Sequence, residues 1–238
     1  MKKIAQPILE LSNISRSDKK SEVEKLNLSI PAGDCFVVLH SCPDNISLIT
    51  EILSGRVAPK KGKIFFKGED VTGRRNIFGI IKKDPQLPKF KTTAENASAP
   101  LLKRGLPRSV SNVLVKKELA LVGLEDIADS QISKLPLQQA LRALVFSAYM
   151  CSHELIAIDE PFSQLPEKER QAELAWLNDF RNKNKSSLLI FTEDIETALM
   201  LGDYVMMLDS HASSAGIVAI IGEKDKARKR ITDVLERT

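Results

Sequence analysis

Leu155-Ile156-Ala157-Ile158-Asp159-Glu160-Pro161 runs four apolar residues straight into two acids and a proline. An apolar run of this length, flanked by polar residues, has the pattern of a strand buried on both faces of a parallel sheet. Asp159 and Glu160 then fall at the strand's carboxyl end, where open α/β sheets place their ligands. Adjacent acids there can hold Mg²⁺ and orient a water against a phosphate. The same stretch also fits a buried strand that ends in a solvated acidic turn.

Outward from this strand, the pattern on the carboxyl side alternates helix and strand. An amphipathic helix is predicted over Glu167–Lys183, a strand over Ser187–Thr192, and a short helix over Ile195–Leu201. Strands at Tyr204–Leu208 and Ala215–Ile221 come next. On the amino side, Pro136–Met150, Arg108–Val122 and Thr93–Arg104 carry helical periodicity, separated by turns at Gly105-Leu106-Pro107 and Gly123. Earlier still, Cys35–Leu39 reads as a buried strand. It enters the turn-rich loop His40-Ser41-Cys42-Pro43-Asp44-Asn45, and then a helix that ends at Gly55. Pro7–Leu11 and Leu26–Ile30 are alternating strands joined through a charged turn over Ser17–Lys25, and Lys61–Lys67 and Ile77–Ile81 are two more short strands. The class is α/β, with a mixed sheet core, a small antiparallel β subdomain and an all-helical insert.

Composition bounds the rest. The 238 residues are long enough for one large α/β domain or two small ones, and 43% hydrophobic with 28% charged is ordinary for a soluble globular protein with a real core. A net charge of +4 is too mild to argue for nucleic acid, and Lys224–Arg237 alternates both signs as a solvated helix face does. Cys35, Cys42 and Cys151 show neither metal-ligand spacing nor an even count, which fits a reducing cytosol. No apolar run approaches the ~18 residues of a membrane span. Met1-Lys2-Lys3 is not followed by a signal-peptide core.

The order strand-loop-helix, helical insert and Asp-Glu-Pro strand resembles the ATP-binding subunit of ABC transporters over roughly Ile8 to Gly222. Leu28–Gly33, Leu53-Ser54-Gly55, Gly62-Lys63-Ile64, Thr93–Asn96 and Asp194–Ala198 resemble landmarks along that family's chain, and Asp159–Ser163 looks like Walker B. The resemblance implies a P-loop NTPase-like fold forming one nucleotide-binding domain over 1–238, with a helical subdomain at about 85–152.

The positions where the resemblance implies chemistry carry other residues. Walker A, G-x-x-x-x-G-K-[ST], wraps phosphates with backbone N–H groups and a lysine. Here it aligns with His40-Ser41-Cys42-Pro43-Asp44-Asn45-Ile46-Ser47, with Ile46 at the lysine position and Pro43 supplying no N–H. Only Ser47 keeps a metal-side hydroxyl. The Q-loop glutamine aligns with Lys83, and the switch histidine with Glu193. The D-loop aspartate falls at Pro166 and the adenine-stacking aromatic near Ser17. The signature reads Leu135-Pro136-Leu137-Gln138-Gln139. Of the motifs, Walker B alone survives, with Asp159 (and Ser47) as the magnesium ligands and Glu160 as the catalytic carboxylate that polarises water.

Two functions are compatible with this pattern. One is a catalytically degenerate subunit that binds no nucleotide, or Mg-ATP only weakly. It would pair with an intact ATPase subunit as a heterodimer on the inner face of the cell membrane. The helical subdomain and the Asp84–Thr93 region would meet the transmembrane permease. The other is a working ABC ATPase with atypical ligands, using Asp159 on magnesium and Glu160 on water. A regulator that borrowed the fold is a third possibility.

Overall fold

The computed structural model describes residues 7–208, the backbone of 214–220, and Ile231. The expected solvated helix face at Lys224–Arg237 lies outside the described residues, apart from the buried Ile231. Two sheets carry the molecule. The first is antiparallel, in the order β2 (Glu22–Pro31), β1 (Pro7–Ser17), β4 (Lys61–Phe66), β5 (Glu69–Asp70). The second has six strands in the order β10 (Ser214–Ile220), β9 (Tyr204–Leu208), β3 (Cys35–His40), β8 (Ser187–Thr192), β7 (Leu155–Asp159), β6 (Gly79–Ile81). Its strands are parallel except β10, which runs antiparallel to β9.

The fully apolar strands are explained by two cores, one on each face of the six-stranded sheet. In β3, Cys35, Val37 and Leu39 enter one core and Phe36 and Val38 the other; in β7, Ile156 and Ile158 oppose Leu155 and Ala157. Each fully buried Val, Leu or Phe side chain contributes about 1.5–3 kcal/mol relative to exposure, so Phe36, Val37, Val38 and Leu39 of β3 favour this interior position. One core holds α2 (Thr93–Lys103), α3 (Arg108–Leu121), α4 (Leu137–Tyr149), α5 (Glu167–Asn184) and α6 (Ile195–Leu201) against the sheet; the other holds α1 (Pro43–Leu53) and the antiparallel sheet.

Several boundaries differ from the sequence expectation, for local reasons. The β1–β2 hairpin runs on to Ser17↔Glu22, so the turn is only residues 18–21, with Asp18 Oδ1 accepting the Lys20 and Ser21 N–H groups. Left-handed Asn13 (φ 52°) and Lys25 (φ 49°) lie at register shifts that break the period-two pattern before the strands end. In the helical insert, Thr92 and Glu95 form a reciprocal capping box that fixes the start of α2. Gly79 brings β6 close against α4: a Cβ there would lie 2.3 Å from the Ala148 carbonyl oxygen and 2.5 Å from the Ala148 Cβ. Among the described residues, no helix is long and apolar enough to cross a membrane.

Candidate functional site

Between β3 and α1 only Ser41 and Cys42 intervene, because α1 begins at Pro43, inside the stretch expected to be loop. Proline at the first helical position forfeits an N–H that would lack a helical partner anyway, and Asp44 complements the positive helix end. Asn45 and Ile46 face inward. Asn45 Oδ1 accepts the Glu22 N–H at 2.9 Å, which ties α1 to β2. Ile46, at the position of the resemblance's lysine, is 0% exposed and packs in the core beneath the antiparallel sheet. No residue from 40 to 47 has a positive φ, so the turn lacks the left-handed step that curls successive N–H groups into an anion-binding nest. Ser41 and Ser47 are exposed.

The carboxyl ends of the three neighbouring strands β3, β8 and β7 do converge. Each contributes the residue at or just beyond its end: His40, Glu193 and Glu160. His40 Nε2 lies 3.9 Å from Glu160 Oε1, and Nδ1 lies 4.0 Å from Glu193 Oε1. Glu160 is held on three sides. Its N–H donates to the Phe191 carbonyl at 2.8 Å, Thr192 Oγ1 donates to Oε2 at 3.0 Å, and the Glu193 N–H donates to Oε1 at 2.7 Å. These bonds help hold a left-handed φ of 48°, which costs a non-glycine residue about 1–2 kcal/mol.

The electrostatics are set by burial. The His40 imidazole is pushed down to about 4 by burial, with the charge of Lys83 acting the same way, so the ring is neutral at neutral pH. Asp159 is pushed up to about 6, chiefly by burial and then by the neighbouring Glu160. A backbone N–H of Lys83 and its side-chain charge oppose that rise. Gln164 Nε2 donates to the Lys83 carbonyl, which fixes the segment after β6 beside the acids. Three carboxylates and a neutral imidazole therefore face the space at this end of the sheet, with Lys83 as the nearby cation.

The signature-position residues lie elsewhere, at the start of α4. Pro136 is the N-cap, Leu137 is exposed, and Leu135 packs on the core. Gln138 donates to Glu173, a fully buried acid that also takes both arms of Arg142 at 2.7 Å. Arg142 in turn stacks 4.9 Å over Trp176. Pro166 caps α5. On the far side of β6, a cleft of about 680 Å³ is lined by Arg56, Arg75, Lys82, Asp84, Asn96 and Lys103 among others.

In the sequence His40, Glu160 and Glu193 belong to three separate motifs, and nothing in any one motif shows that they meet. The signal was present: each immediately follows, or ends, an apolar run of a parallel strand, and such ends lie side by side.

An ATP cofactor does not fit this arrangement. The two-residue turn offers no phosphate cradle, and the lysine position is a buried aliphatic.

The sequence profile described as ABC transporter matches residues 23–163, more than half of the 238-residue chain. The molybdate/tungstate import ATP-binding protein WtpC of Pyrococcus horikoshii is 24% identical over 227 residues, covering 93% of this chain and 66% of that protein. The taurine import ATP-binding protein TauB of Pseudomonas aeruginosa is 24% identical over 209 residues, covering 88% of this chain and 80% of that protein. Among solved structures, the ABC transporter ATP-binding cassette MJ1267 matches with a TM-score of 0.79 at 17% identity, over 97% of this chain and 98% of that one. The cbiO1 protein of Clostridium perfringens, part of the ABC transporter complex cbiONQ, gives 0.78 at 19% identity, over 97% and 99%. These structural likenesses bear on the fold, and the profile runs from β2 through β7. The chain therefore belongs to the ABC transporter family and has the fold of its nucleotide-binding domain.

Proposed function

We propose that this chain is a catalytically degenerate ATP-binding-type subunit of an ABC transporter, a single nucleotide-binding domain that keeps the scaffold without ATP turnover. The observation that carries this reading is the β3–α1 turn: two residues long, followed by Pro43, with Ile46 fully buried where a phosphate-binding lysine would stand. A charge-assisted contact contributes roughly 1.5–3 kcal/mol. Loss of the lysine and several loop N–H groups then costs ~5 kcal/mol or more, which turns a micromolar site into one weaker than millimolar. Calorimetry of the purified chain with Mg-ATP is expected to show no binding in the micromolar range; a micromolar dissociation constant sinks the reading.

The subunit would work at the inner face of the membrane beside an intact ATPase partner. The 680 Å³ cleft and the adjoining Asp84–Thr93 segment would receive the permease. The relatives named for molybdate/tungstate and taurine import favour an importer. Co-purification from native membranes with a permease and a second, intact ATP-binding subunit tests the assembly, and recovery as a lone homodimer counts against it.

One observation favours the rival reading of a working ATPase with atypical ligands: Asp159 and Glu160 are in place, and Glu160 is held by Thr192 and the Glu193 N–H. Glu160→Gln separates the two. Loss of ATPase activity in the assembled complex supports the rival, and unchanged activity removes it.

A further inference from the structure

His40 is an anomaly for a buried polar side chain. The residue is 6% exposed and its side chain 1%, yet neither ring nitrogen has a hydrogen-bond partner. Leaving a buried polar group unsatisfied costs about 1–3 kcal/mol. Both nitrogens face carboxylate oxygens at 3.9 and 4.0 Å, too far for hydrogen bonds. One ligand atom from each of His40, Glu160 and Glu193 lies within 4.8 Å of the others, the one such group among the described residues.

We propose that His40, Glu160 and Glu193 bind a divalent transition-metal ion, with Zn²⁺ the expected occupant. Metal–nitrogen and metal–oxygen bonds of about 2.0–2.2 Å place neighbouring donors roughly 3–3.5 Å apart, so a single His40 nitrogen and one oxygen from each carboxylate, now within 4.8 Å of one another, must close by up to about 1.5 Å to share an ion. Glu193, 46% exposed at its side chain, has room to make that movement. Glu160 is already oriented by Thr192 Oγ1 and the Glu193 N–H, the kind of outer support that fixes ligating carboxylates. One imidazole with two carboxylates suits Zn²⁺ and its first-row neighbours, whereas an all-oxygen set would suit Mg²⁺. Three protein donors leave a position open to water, on the exposed Glu193 side. Lys83 is the nearby cation, its charge felt at His40 and Asp159.

The test uses the full chain, stripped with a chelator and free of nucleotide, so its outcome is separate from the ATP measurement above. ZnCl₂ is titrated by calorimetry, and CoCl₂ is followed by its visible ligand-field bands. One ion per chain is expected, with micromolar or tighter affinity, undiminished by millimolar Mg²⁺. His40→Ala and Glu193→Gln should each weaken binding at least tenfold and alter the cobalt spectrum, with circular dichroism checking that each variant is folded. Glu193 is surface-exposed, so its variant remains informative if His40→Ala fails to fold. No Zn²⁺ binding overturns the proposal. So does binding that both folded variants leave unchanged, or that Glu193→Gln leaves unchanged when His40→Ala cannot be tested.

Discussion

β3 and β7 flank β8 in one parallel sheet and are equally buried, yet their carboxyl ends have opposite characters. Past β3 the chain closes at once into a helix, and its inward residues serve packing: Asn45 holds β2 and Ile46 fills the core. Past β7, Glu160 is kept in a left-handed conformation by bonds to the β8 end, and Asp159 remains an acid despite its burial. The fold thus needs only the strands. The segment beyond each strand is free to become scaffold or to stay a polar site, and here one end has taken each course.

Substitutions should expose that contrast. Ile46→Lys restores the motif residue but places a charge in the core, and an expected loss of about 3–5 kcal/mol in urea unfolding is the largest effect. A stable Lys variant that gains ATP binding would erase the distinction between the two ends. At the β7 end, Asp159→Asn should stabilise. The folded carboxyl is raised to about 6 from 3.8, so its ionisation penalty is full above pH 6 and absent below pH 3.8. Removing it adds up to roughly 3 kcal/mol at pH 7.5, measured with chelator present.

His40 titrates with the opposite effect. Its folded value of about 4 lies below the unfolded 6.5, so stability drains away as pH falls from 6.5 to 4. In the native chain the two effects offset each other over that window. The Asn variant should therefore lose up to about 3 kcal/mol between pH 6.5 and 4, and a flat profile there would contradict the assigned burial of His40.

Gly79→Ala probes the scaffold away from both ends; the contact with the Ala148 carbonyl predicts a loss of about 1–3 kcal/mol. Ser47→Ala, on the exposed side of α1, should change stability by less than about 0.5 kcal/mol. A fall in ATPase activity of the assembled complex on that change would favour the working-enzyme alternative.

The scaffold was legible because burial on both faces writes itself as unbroken apolar runs: Ser187–Thr192 and Tyr204–Leu208 have the bounds the sequence implied. The β1–β2 hairpin was half legible, since left-handed Asn13 and Lys25 interrupt alternation without ending the pairing. The two-residue β3–α1 turn looks like a longer loop in the sequence because Pro43, Asp44 and Asn45 are turn formers as well as first-turn helix residues. Least legible was the grouping of His40, Glu160 and Glu193. It depends on strand order, and sequence order separates His40 from the acids by more than a hundred residues.

The close seating of Gly79 on Ala148, with only one methyl group at the contact, has a mechanical consequence. Padding made of side chains can shear and repack under load, whereas a strand seated directly on a helix behaves as a stiff bearing. A push delivered to the α2–α4 insert would reach β6, and so the Lys82–Lys83 segment, with little lost on the way.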